Sequence, residues 1–302
     1  MKNKLIVILF IFTAGLLSAQ QTFRETKSFS KEFAYKPGEE IKINGERTFI
    51  SITRVQSNKV SAEIEVVSRY SDQVQATADL EKIKVRIDKK GKTIYYSNSL
   101  EINSPQDRPK SNLKTILKLY VPAYAEVEIT NAYGELNLNG SIAKIKSTSQ
   151  FCNTKCSEFN GDLEIESKYG SIECLNSNMV LKAKGNRSDL ILTNTGGSIE
   201  AEVKYGSIDF SYSPDLDEID IKGEHSPITI IVPEVLKASM VVKCKYCNIN
   251  IDNCKNISDE KISNKEHVIF LEAPIKKKVK AILTSEKEDI KIITTNTFTN
   301  SN

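Results

Sequence analysis

An eighteen-residue pattern, usually anchored on a ring residue, repeats through the middle of the chain. Tyr133, Phe151, Tyr169, Arg187 and Tyr205 are evenly spaced, and His225 and Tyr246 follow after longer intervals. Apolar or small residues recur six, four and two positions before each anchor and three and five positions after it. Period-two alternation on both sides of a bend predicts two short strands per repeat. Val127, Ile145, Leu163, Leu181, Ile199, Ile219 and Met240 would line one interior wall. Leu136, Thr154, Ile172, Leu190, Ile208, Ile228 and Ile249 would line the other. Glycine follows the anchor at Gly134, Gly170 and Gly206, where a residue without a side chain is expected to take the strained angles of a corner.

The outward positions separate a hairpin meander from a stack of coils. Five residues before the anchor stand Glu128, Lys146, Glu164, Lys182 and Glu200; three before it stand Glu166, Lys184, Glu202 and Lys222. If repeats lie in parallel register, each glutamate sits about 4.8 Å from a lysine. Such cross-strand pairs contribute roughly 0.2–1 kcal/mol each. The expected fold is therefore all-β: a parallel β-solenoid, drawn as a right-handed β-helix or roll of about 18 residues per coil.

An N-terminal copy of the pattern surrounds Arg47 with Ile41, Ile43, Gly45, Ile50 and Ile52, and a last copy surrounds Lys287. Residues 1–19 read as a cleavable export signal: Lys2 and Lys4 precede an apolar run from Leu5 to Leu17 that is too short to cross a bilayer. The domain plan is then the signal, first strands and first coil over 20–53, and an antiparallel β insert over 54–120 capping or flanking the N-terminal end. Coils follow over 121–255, and a C-terminal hairpin, final coil and disordered tail over 256–302. The insert is expected to hold strands near 58–68, 82–88, 92–97 and 113–121, with a short helix near 76–82.

The opening strand pair, the Val121-Pro122 entry and the Tyr-Gly-Ser-Ile units at Tyr169 and Tyr205 resemble the exported putative-adhesin family of bacterial β-solenoid domains, whose function is unassigned. The resemblance covers most of residues 30 to 293. It implies the parallel β-helix or roll and carries over no catalytic residue. Glycine is expected at nearly every corner of that family, whereas this chain has Cys152, Ser188, Ser226 and Cys247 at four of them.

Composition narrows the function classes. The formal charge of +3 falls to +1 once Lys2 and Lys4 leave with the signal, so nucleic acid is not an expected partner. Lys276, Lys277 and Lys278 form the one basic run and read as a solvated turn. Six cysteines in an exported chain suggest disulfides. Cys156 could pair with Cys174, and Cys254 with Cys247 or Cys244; alternatively Cys156, Cys174 and Cys244 are small buried residues with no bond. No metal site or cofactor is expected.

Candidate binding residues are Tyr133, Tyr169, Arg187, Tyr205, His225 and Tyr246 in the anchor column, where rings could meet a sugar or peptide or could instead form a ladder that holds register. Asp215 and Asp217 join Glu218 and Glu224 in an acidic stretch around His225, where the repeat lengthens. No nucleophile motif is present. The expected function is a non-enzymatic, adhesin-like protein of the periplasm or cell surface that binds a protein or surface glycan and keeps no integral membrane segment after cleavage. A periplasmic sensor or regulatory module is the alternative, and a carbohydrate-active β-helix enzyme a third.

Overall fold

The computed structural model describes residues 22–233, 236, 239–252, 257–263, 265–273 and 280–295. The export signal, Cys254, the Lys276–Lys278 run and the C-terminal tail beyond 295 lie outside them. The described chain is all-β with a single α-helix. Its 23 strands join in one continuous sheet of mixed parallel and antiparallel pairs, nearly closed and barrel-like around one apolar core.

Numbering strands in chain order, one wall runs through β1 (Phe23–Ala34), β4 (Lys59–Tyr70), β7 (Asn112–Val121), β3 (Thr48–Arg54), β9 (Glu135–Gln150) and β10 (Asn153–Lys168). It continues through β11 (Ser171–Leu175), β13 (Asp189–Thr193), β15 (Ile208–Ser211), β17 (Ile228–Pro233), β23 (Ile290–Thr295) and β19 (Ile249–Asp252). The second wall begins with β5 (Ile83–Lys90), β6 (Thr93–Leu100), β2 (Glu40–Glu46) and β8 (Glu126–Ala132), and shares β9 and β10. It proceeds through β12 (Asn178–Asn186), β14 (Gly196–Lys204), β16 (Leu216–Glu224), β22 (Lys280–Glu286), β18 (Met240–Lys245), β21 (Glu266–Leu271) and β20 (Ile257–Ser263). The long strands β9 and β10 pass from one wall into the other.

Pairing in the middle of both walls is parallel, and from Glu135 to Thr193 it carries the register that the repeat predicts, apart from a local shift between Ser157 and Asp162 where β10 passes from one wall to the other. Leu163 faces Ile145 and Leu181, and Thr154 faces Leu136 and Ile172. Both predicted interior columns are buried from end to end. Each buried leucine or isoleucine contributes roughly 1.5–3 kcal/mol. Outside, Glu164 lies between Lys146 and Lys182, and Lys182 between Glu164 and Glu200. Ion pairs close at Lys42–Glu128, 2.9 Å, and Lys146–Glu164, 2.8 Å. These pairs are solvated and specify register more than they add stability.

Two features depart from the expected plan. The segment between the first copy and Val121 is not one antiparallel block. Its halves separate: β4 and β7 extend the first wall, while β5 and β6 extend the second, and β7 and β6 rejoin the stack through parallel pairs to β3 and β2. The short helix, α1 (Gln73–Leu80), joins the halves, its first turn capped by Asp72 accepting from the Gln75 N–H at 2.7 Å. At the other end the last copy does not terminate the stack. β22 and β23 insert between β16 and β18 and between β17 and β19, so the repeat around Lys287 lies between those of His225 and Tyr246. The inserted rung keeps the interior pattern, with Ala281 beside Ile219 and Ile290 beside Ile228 and Ile249. Spacing along the chain reports which residues face inward but not the order in which rungs are laid.

Candidate functional site

Each anchor residue is itself the corner. Arg47, Tyr133, Phe151, Tyr169, Arg187, Tyr205, His225 and Tyr246 have φ between 49° and 58°, and Lys287 has φ 72°. This left-handed conformation turns the chain from one wall to the other, and holding a non-glycine residue there costs on the order of 1–3 kcal/mol. From Arg47 to Lys287 each anchor N–H donates to the carbonyl preceding the next anchor in the column, as in Tyr133 to Gln150, Phe151 to Lys168 and Tyr169 to Asn186, and the Tyr246 N–H donates to the Lys265 carbonyl. The same bond joins His225 to Glu286 and Lys287 to Lys245, which fixes the order of the column through the inserted rung.

The side chains stack. Tyr133 and Phe151 rings lie 5.0 Å apart and 8° from parallel, Phe151 and Tyr169 4.9 Å and 12°, Tyr205 and His225 5.1 Å and 8°. Arg47 covers Tyr133 at 6.0 Å, Arg187 covers Tyr169 at 5.5 Å, and Lys265 covers Tyr246 at 5.9 Å. The Lys287 ammonium stands 3.5 Å from the His225 Nε2. Stacking worth roughly 0.5–1.5 kcal/mol per pair offsets much of the backbone cost. With their faces against neighbours, the rings stay about half exposed, Tyr133 at 55% and Tyr246 at 60%, and offer solvent their edges. The column is thus a ladder whose outward side is a row of ring edges, phenol hydroxyls and cations. It suits hydrogen bonding along an edge better than the packing of a sugar onto a ring face.

The glycines after the anchors do not supply the corner angle; they permit close approach. A Cβ on Gly134, Gly170 or Gly206 would lie 2.0, 1.9 or 2.1 Å from the carbonyl oxygen of Thr48, Cys152 or Ser188 in the preceding rung. The residues that replace glycine in alternate rungs reach back to it. Gly134 N–H donates to the Cys152 sulfur, Gly170 N–H to Ser188 Oγ and Gly206 N–H to Ser226 Oγ, each at 3.2 Å. Cys152, Ser188 and Ser226 are therefore members of a second, two-rung repeat, not irregular corners. The alternation stood in the sequence as glycine, cysteine, glycine, serine, glycine, serine, but its meaning appears only when neighbouring rungs meet.

Asp215 and Asp217 do not gather around His225. They flank the start of β16, while Glu224 ends it and His225 follows, and nine residues of strand span about 25–30 Å. Glu224 is held by Lys204 at 3.1 Å, which keeps its carboxyl below the usual range. Cys156 and Cys174 are direct partners on β10 and β11, both buried and both free thiols. The neighbouring Cys174 thiol and burial push the Cys156 thiol well up. Cys247 comes to bonding distance of Cys244, their Cα atoms 5.6 Å apart, because the corner at Tyr246 folds one back towards the other. Among the described residues no three His, Cys, Asp or Glu side chains converge on a cation site, and no helix is long and apolar enough to cross a membrane.

Sequence reasoning missed Asp79 in α1, which is wholly buried. Its carboxylate accepts from the backbone N–H groups of Lys110 at 2.8 Å and Ser111 at 2.9 Å, from Ser111 Oγ at 2.8 Å and from Gln75 Nε2 at 2.9 Å. Lys82 approaches it at 3.1 Å and Asp107 at 2.9 Å. Nothing in a short helical stretch marks one aspartate as buried, since three of its hydrogen bonds come from Lys110 and Ser111, a loop thirty residues away.

No family model matches the chain, and no curated protein matches it. Among solved structures it is similar to a putative cell adhesion protein from Clostridium sporogenes, with 13% identity, a TM-score of 0.27, and coverage of 90% of this chain and 100% of that one. A putative adhesin from Bacteroides fragilis has 12% identity, TM-score 0.44, and coverage of 88% and 97%. A putative adhesin from Parabacteroides merdae has 10% identity, TM-score 0.37, and coverage of 88% and 96%. Overlaps this low carry no functional inference, and the chain's own geometry has to supply one.

Proposed function

We propose that the chain is a non-catalytic, exported β-solenoid of the bacterial cell envelope or surface, which binds a protein or surface glycan along its length in the manner of an adhesin. The observation that supports this most is the parallel register in the middle of both walls, which carries outward side chains into columns across successive rungs. Right-handed coiling is the sense in which parallel strands and their crossovers almost always wind. Columns of charge and ring edges form a long contact surface. The separation of Asp215 and Asp217 from Glu224 and His225 weighs against a glycosidase, whose two carboxyl groups must flank one bond at roughly 5–10 Å.

Brief protease treatment of intact cells, followed by immunodetection of the chain, tests the surface reading. Digestion of the chain while periplasmic markers survive is expected. Full protection in intact cells, with digestion only after the outer layer is opened, would reject the adhesin reading in favour of a periplasmic binding module.

A further inference from the structure

A cleft of about 380 Å³ opens near the N-terminal end of the anchor column, where β6 in one wall and β7 in the other frame a gap closed by the loop before β7. Its sides are Ile83, Leu100, Ile102 and Leu113, with Arg47 and Arg108 also lining it. Ile102 is 43% exposed although it contributes to no strand, so apolar surface stands open there. The volume falls in the usual range of small-molecule sites.

Most of the cleft's polar side chains are already committed. The Asn98 Oδ1 accepts from the Glu46 N–H at 3.0 Å and from Thr48 Oγ1 at 2.9 Å, and its Nδ2 donates to the Glu46 carbonyl at 2.7 Å and to Thr115 Oγ1 at 3.3 Å. Ser111 Oγ donates to Asp79. The guanidinium groups are different: neither Arg47 nor Arg108 forms an ion pair among the described residues. Arg47 lies over the Tyr133 ring, an arrangement that leaves the edge of a guanidinium available for a planar anion. Glu46 is the one carboxylate in the lining, so two cations and one anion leave a single positive charge beside an apolar interior.

We propose that this cleft binds a small organic monoanion, a carboxylate or sulfonate head on a short acyl or aryl body. The head sits between the Arg47 and Arg108 guanidinium groups, and the body replaces water against Ile83, Leu100, Ile102 and Leu113. The buried Asp79 knot fixes the backbone at Lys110 and Ser111, and so positions the loop that carries Arg108. Arg47 belongs both to this cleft and to the anchor column, but occupancy of the cleft does not require a partner on the column.

Titration of the full chain with 1-anilinonaphthalene-8-sulfonate, followed by fluorescence, tests the proposal, with decanoate and decanol as competitors. One saturable site is expected, displaced by decanoate at least tenfold more effectively than by decanol. Arg108→Glu and Ile102→Glu, both at exposed loop positions, should each weaken binding at least tenfold. Lys291→Glu, an exposed charge reversal on β23 at the other end of the sheet, should change it less than twofold. The proposal is overturned if binding does not saturate, if decanol competes as well as decanoate, if both cleft variants bind like the parent, or if Lys291→Glu weakens binding equally.

Discussion

Replacing Gly170 with alanine is expected to lower the unfolding free energy by about 4 kcal/mol or more, a loss readable by urea denaturation followed by circular dichroism. The new Cβ would lie 1.9 Å from the Cys152 carbonyl oxygen and 2.8 Å from its carbon. Backbone cannot rotate aside as a flexible side chain can. Relief requires β10 and β11 to part, and that strains the parallel ladder between them. Overpacking ordinarily costs about 1–3 kcal/mol, and a clash with fixed backbone belongs at or above the top of that range. A loss under about 1 kcal/mol would mean that the rungs are not in contact at this corner.

Asp79→Ala is expected to cost about 3 kcal/mol, because the Lys110 and Ser111 N–H groups lose their acceptor inside the protein. The pH dependence identifies the cause. Burial pushes the Asp79 carboxyl up, but hydrogen bonds from Ser111, Lys82 and Lys110 outweigh it and hold the group below its ordinary value of 3.8. A carboxyl depressed on folding stabilises the protein in full above its unfolded value and loses that contribution as pH falls through the folded one. The parent chain should therefore lose stability progressively below about pH 4, and Asp79→Ala should lose less over the same interval. Parallel acid titrations of the two proteins by thermal unfolding would expose the contrary result, curves of the same shape.

What the sequence disclosed, and what it hid, follows from how far apart the interacting residues are in the repeat. Inward positions such as Leu163 and Thr154 were legible because period-two alternation is a local property of a strand. The alternating columns at Glu164 and Lys182 extended this to register, since both residues carry the same offset from their anchors. Corner chemistry was misassigned: the left-handed angle belongs to Tyr133 and Tyr169, while Gly134 and Gly170 are small because a carbonyl of the rung before presses on them. An anchor in that conformation runs against the preference for glycine or asparagine, so its role is visible only once the neighbouring ring supplies a stacking partner. Insertion of the Lys287 rung between His225 and Tyr246, and the burial of Asp79, depend on contacts across long stretches of chain. No periodicity encodes those.

The arrangement of the rungs is tested most directly by distances between spin labels on outward positions of one charge column. Labels at 128 and 164, two rungs apart, should have backbones about 10 Å apart, and labels at 128 and 200, four rungs apart, about 19 Å. Growth of about 4.8 Å for every eighteen residues is the predicted result. A separation for the 128 and 200 pair no larger than that for the 128 and 164 pair, as hairpins folding back on themselves would produce, would contradict it.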